Sequence, residues 1–140
     1  MSGDYDVDAK SFWSGGAAVA VIAAIAAVVT QLVLQLIFDT TLVIMDGQEL
    51  SYGLTFGVAF GASLLAIGML HLFLAAVPRG RMLWQLLASL FLIASIIPIV
   101  QLDSDGENKL LLLVIHIVTY LFVVPTIVGM IPRVATPAQG

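Results

Sequence analysis

Along the chain, four long apolar runs alternate with short polar breaks. The runs Gly15 to Phe38, Leu54 to Val77, Met82 to Val100 and Leu110 to Ile131 contain no Asp, Glu, Lys or Arg. A bilayer core about 30 Å thick takes about 20 apolar residues at a rise of 1.5 Å each, so every run is long enough to cross it. Backbone N–H and C=O groups in lipid have to be satisfied within their own segment, which predicts four helices. The chain divides accordingly into a tail over 1–14, one four-span domain over 15–131 and a second tail over 132–140.

Small and polar residues give each predicted helix one distinct face. In the second, Gly53, Gly57, Gly61, Leu64, Gly68, His71 and Ala75 project within about 80° of one another at 100° per residue. In the first, Gly16, Ala20, Ala23, Ala27, Gln31 and Leu34 form a stripe with Thr30 and Gln35 at its edges. Small residues at a spacing of four let two backbones approach closely, and close contact is what holds helices together in lipid. The first and second helices are therefore expected to pack through these faces; the alternative is that the glycine face joins copies of the chain. The third helix groups Gln85, Ala88, Ser89, Leu92, Ser95 and Ile99, with Pro98 inviting a kink near its end. The fourth groups His116, Thr119, Tyr120, Val123 and Ile127, with Pro125 behind them. The expected fold is all-α, a four-helix bundle running up-down-up-down with these faces inward.

Composition points the outer faces at lipid. The 140 residues are 61% hydrophobic and 10% charged, with a mean hydropathy of +1.11, whereas a soluble domain carries about 25% charged residues. The opening MSGDYDVDAK is acidic, and the run behind it exceeds the roughly 7 to 15 apolar residues of a signal peptide, so it is expected to remain as a span. The absence of cysteine removes disulfides, thiolate metal sites and cysteine nucleophiles. Nine acids against five bases argue against a nucleic-acid partner.

The few bases set an orientation. Lys10, Arg79, Arg81 and Arg133 fall on one side and Lys109 on the other, which predicts cytoplasmic termini and a cytoplasmic turn at Pro78 to Arg81. Trp13 and Trp84 are expected at that same boundary. The opposite loops are acidic. In one of them Asp46-Gly47, flanked by apolar residues, signals a tight two-residue hairpin. The run DSDGENK (103–109) is too short for the 12-residue loop of an EF-hand and is expected to be a solvated turn.

Polar side chains at membrane depth are the candidates for function: His71, His116, Gln31, Gln35, Gln85 and Tyr120. The two histidines differ in depth by on the order of 16 Å, whereas nitrogens sharing one metal stand about 4 Å apart. One protomer therefore cannot hold a metal or haem between them, and no cofactor or metal is expected. A proton-coupled transporter would carry an acid inside a span, and Pro98 and Pro125 do not pair across the two halves. Ser89, Ser95, Thr119 and Tyr120 lack the orienting carboxylate of a hydrolase. Interhelical hydrogen bonding is the expected role of these groups, His71 included.

The stretch RMLWQLLASLFLIASIIPIVQLDSDGENKLLLLVIHIVTYLFVVP, Arg81 to Pro125, combines a Trp-led span ending in Pro, a short polar loop, and a span with an early His and a later Pro. It resembles an uncharacterised prokaryotic family of small four-pass membrane proteins, a domain of unknown function. The resemblance implies one four-span domain without an assigned activity and draws attention to Trp84, Pro98, His116 and Pro125. The expectation is a non-enzymatic multi-pass protein of a prokaryotic cell membrane, in contact with membrane lipid and acting by assembly with itself or with other membrane proteins. A small channel or transporter with a track of Gln and His is the first alternative, and a haem or lipophilic-cofactor binder the second.

Overall fold

Each of the four apolar runs is a helix, and each helix begins before its run does. The computed structural model describes residues 5–137; residues 1–4 and 138–140, the outer parts of the two expected tails, lie outside the described residues. The order is β1 (Tyr5–Val7), α1 (Ala9–Phe38), α2 (Tyr52–Ala76), α3 (Gly80–Val100), α4 (Gly106–Val134) and β2 (Ala135–Pro137). All four helices are long and apolar enough to cross a membrane, which makes this a multi-pass membrane protein.

Polar caps explain the early starts of α1, α2 and α4, whereas α3 begins after Arg79 with no side-chain cap. Asp8 accepts from the backbone N–H of Lys10 and from the hydroxyl of Ser11, so α1 opens in the polar segment that hydropathy assigns to a tail. That extra stretch places Phe12, fully buried, in the core. Ser51 caps α2 through Leu54, and the Asp105 carboxylate accepts from the backbone N–H of Asn108 in the first turn of α4. At the other end of the chain β1 pairs antiparallel with β2, Tyr5 opposite Pro137, and ties the start of α1 to the end of α4.

The helices form a ring in which each packs on its chain neighbours and α1 closes on α4. Gly15 and Gly16 stand where α1 touches both partners at once. A methyl on Gly16 would come within 2.6 Å of Cγ2 of Ile67 on α2, and one on Gly15 within 2.6 Å of the sulfur of Met130 on α4. Gly16, Ala20, Ala23, Ala24 and Ala27 are all buried.

The partner face on α2 is not the glycine face. Gly53, Gly57 and Gly61 are exposed, and a methyl on any of them would meet nothing within 4 Å. Gly68 alone reaches α1, with the Trp13 ring 3.3 Å from such a methyl. The buried stripe is instead Thr55, Ala59, Ser63, Ile67, Leu70 and Leu74, two residues on and so about 200° around the helix. Its first three residues have the same small size and spacing as the glycines. Ile67, Leu70 and Leu74 then supply the bulk that fills the core with Phe12 and Ile127.

Polar bonds lock the loop end. Gln31, fully buried, donates to the carbonyl of Leu50 at 2.6 Å and accepts from the hydroxyl of Thr55 at 2.5 Å. The first loop is a hairpin with Val43 opposite Glu49, but its turn holds three residues, Met45–Gly47, with Gly47 at φ 71°. The amide of Asn108 bonds both backbone groups of Val43, each at 2.8 Å, and so stands in for a further strand at the hairpin edge. The turn at 103–109 is thus the capped entry to α4, docked on the first loop.

Two outcomes follow. Gly16→Leu lowers the melting temperature in detergent through overpacking against Ile67, a cost of about 1 to 3 kcal/mol, whereas Gly61→Leu leaves melting unchanged; thermal unfolding of the two variants checks this. The carboxyl of Asp8 is held below its ordinary range chiefly by the Ser11 hydroxyl, with the backbone N–H groups of Ser11 and Lys10 adding against a desolvation that raises it. A lowered folded value means that the cap contributes fully above the usual Asp range, near about 3.9, and is lost as pH falls through the folded value. Hydrogen-exchange protection of residues 10 to 12 drops on that acidification, and Asp8→Asn abolishes the pH dependence.

Candidate functional site

Helix α3 is fully buried only near its two ends. It buries only Gly80, Trp84 and Ile99. At one end Gly80 lies against the last turn of α2, where a methyl would overlap the carbonyl of Phe73, so only glycine fits. One turn on, the Trp84 indole N–H donates to the carbonyl of Ala66 at 2.9 Å. At the other end Ile99 packs with Leu42, Leu111, Leu112 and Ile115.

Between these anchors small residues stand among larger apolar ones: Ala59, Ala62, Ser63 and Ala66 beside Val58, Leu65 and Met69 on α2, and Ala88 and Ser95 beside Leu87, Phe91 and Leu92 on α3. They leave a cavity of about 620 Å³, floored by Ile115, His116, Thr119, Tyr120 and Val123 of α4. Among the described residues, none that lines it is charged. Its exposed lining lies on α2 and α3, where Val58 is 62%, Leu65 66% and Phe91 58% exposed, so the mouth opens sideways between these two helices. The rim is apolar and lies within the spans.

Hydroxyl groups on the wall turn back onto their own helices. Ser63 donates to the carbonyl of Ala59 at 2.7 Å, Ser95 to Leu92 at 2.7 Å and Thr119 to Ile115 at 2.8 Å. The Tyr120 hydroxyl stands 2.8 Å from Ser89 Oγ, which itself donates to the carbonyl of Gln85 at 2.9 Å. His116 Nδ1 lies 2.9 Å from the carbonyl of Leu112, one turn back. A carbonyl only accepts, so the ring nitrogen facing it, Nδ1, carries a proton, and in that tautomer of the imidazole Nε2 is the acceptor.

A family model of unknown function matches residues 7–133, from β1 through the last turn of α4. The chain belongs to DUF6069. No curated protein and no solved structure matches it. The DUF6069 match takes in all four helices, well beyond the Arg81 to Pro125 stretch that carries the resemblance in the sequence.

In this DUF6069 chain the six polar candidates do not form one track. His116 and Tyr120 share the cavity. Gln31 is sealed in the loop-end network, Gln35 is half-buried near the end of α1, and Gln85 lies near the start of α3 outside the cavity lining. His71 stands apart, its ring 5.1 Å from Phe12 and 6.0 Å from Trp13. Its buried Nδ1 has no hydrogen-bond partner, so packing against aromatic rings, rather than an interhelical hydrogen bond, holds it. Trp84, one turn into α3, is 2% exposed, and the carbonyl of Ala66 on α2 takes its N–H. Two further lining residues are Ser63, on the buried α2 stripe that the glycine spacing hides, and Ala62, exposed beside it; the run of small residues at 59, 62, 63 and 66 is the signal that marks them.

Proposed function

We propose that this DUF6069 protein is a non-catalytic membrane protein that takes up a lipophilic molecule from the bilayer. The observation that carries the reading is the uncharged cavity of about 620 Å³ with its mouth between α2 and α3. That volume falls in the range of about 300 to 1,000 Å³ typical of small-molecule sites, and its walls are apolar with a few convergent polar groups, as such sites are. A lateral mouth within the spans admits molecules already dissolved in lipid. Retention of an apolar molecule by the protein purified in mild detergent, read by native mass spectrometry, tests the proposal. Wild type keeps one, and Ala62→Trp, which fills the cavity from an exposed position, loses it with unchanged melting; a wild type that holds nothing beyond the detergent sinks the reading.

Assembly is the second reading, favoured by one observation. Gly53, Gly57 and Gly61 present a small-residue face to which nothing in the protomer is packed, and such faces join helices in membranes. A cysteine at Gly57 then cross-links copies of the chain in the bilayer, whereas one at Leu36, exposed on α1, does not. Equal cross-linking at both positions would mean random encounter.

A further inference from the structure

We infer that the cavity selects neutral apolar molecules bearing a hydroxyl donor, an alcohol or a phenol, over molecules of the same shape that carry only acceptors. The inference rests on the cavity being a ligand site, as proposed above.

Every side-chain N–H and O–H group on the wall is already directed at a protein acceptor. Ser63, Ser95 and Thr119 donate to carbonyls of their own helices, Thr55 to Gln31 and Trp84 to Ala66. Ser89 has one proton and gives it to Gln85, so the short contact between Ser89 and Tyr120 requires Tyr120 to be its donor. His116 commits Nδ1–H to Leu112. Helical backbone N–H groups are engaged in the helices themselves. What remains to a ligand is a set of acceptors: Nε2 of His116, at the end of the ring away from the backbone, and the uncommitted lone pairs of the Ser63, Ser95, Thr119 and Tyr120 hydroxyl oxygens.

A molecule entering this space leaves the interface and its water behind. A hydroxyl recovers a hydrogen bond by donating to one of these acceptors, the uncommitted ring nitrogen of His116 foremost. An ether, ester or ketone oxygen finds no donor and stays unpaired, which is unfavourable in an apolar environment. A carboxylate or phosphate finds neither a donor nor a countercharge. The wall therefore discriminates by the direction of the hydrogen bond, and His116 is the residue that supplies a vacant ring nitrogen for it.

Full-length protein in lipid nanodiscs tests this with a dibrominated octadecanol and its methyl ether, which differ only in the hydroxyl. The chain has two tryptophans, and Trp13→Phe leaves Trp84, on the cavity wall, as the single indole for bromine to quench. The alcohol is expected to reach half-quenching at about one-fifth the mole fraction of the ether, the factor of a single hydrogen bond. His116→Phe is expected to weaken the alcohol alone and bring the two within about twofold; Tyr120→Phe serves as a second variant, and the wild-type comparison needs neither. Equal half-quenching by alcohol and ether, or a preference for the ether, overturns the selectivity while the ligand cavity stands. Absence of quenching by both overturns the ligand cavity itself.

Discussion

Helices in lipid gain no hydrophobic energy by meeting one another, because the tails they leave are as apolar as the side chains they join. What they gain is contact, and contact falls off steeply with separation. Helix α1 meets that constraint with an almost continuous surface of glycine and alanine, from Gly16 to Ala27, that both α2 and α4 can approach. Two neighbours thereby share one helix. Helix α3 has no comparable surface and is left to depend on individual anchors, Gly80 and Trp84 at one end and Ile99 at the other. The cavity is the direct result: it occupies the part of the ring where small residues face one another without closing the distance.

The same medium explains the chemistry of the wall. With no water to take their protons, serine and threonine on membrane helices bond the carbonyl one turn back, and here Ser63, Ser95 and Thr119 all do so or nearly so. The polar side chains satisfy themselves locally and do not advertise donors to the interior. A site built this way carries a few polar groups on an apolar wall and offers its occupant a one-sided set of partners. The loop end works differently. There Gln31 and Asn108 reach across to backbone groups of other segments, Leu50 and Val43, and act as mortar between elements that hydropathy treats as separate.

The four helices were legible because length and lack of charge suffice to mark a span. Their starts were not, since Asp8, Ser51 and Asp105 extend α1, α2 and α4 by hydrogen bonds that hydropathy does not register. On α1 only one stripe is both small and continuous, and it is buried. On α2 two stripes of small residues run on opposite faces, Gly53-Gly57-Gly61 and Thr55-Ala59-Ser63, and spacing alone cannot rank them. The large residues that follow, Ile67, Leu70 and Leu74, break the tie, because only they fill the volume beside Phe12. His116 and Tyr120 were readable as neighbours by their helical spacing. The cavity they face was not, because an empty volume depends on how far apart two helices stand, and no residue encodes that distance by itself.

Pro98 gives α3 a further property. It has no N–H, so the carbonyl of Ala94 lacks its usual partner within the helix, and it sits next to Ile99, the anchor at that end. In mechanical terms α3 is a beam held at both ends and tied once in between, by the contact of Ser89 with Tyr120 on α4. Past that tie the carbonyl freed by Pro98 and the lining residues Phe91 and Ser95 share one stretch of the helix. The cavity wall thus includes the part of α3 that carries one fewer of the helix's own hydrogen bonds.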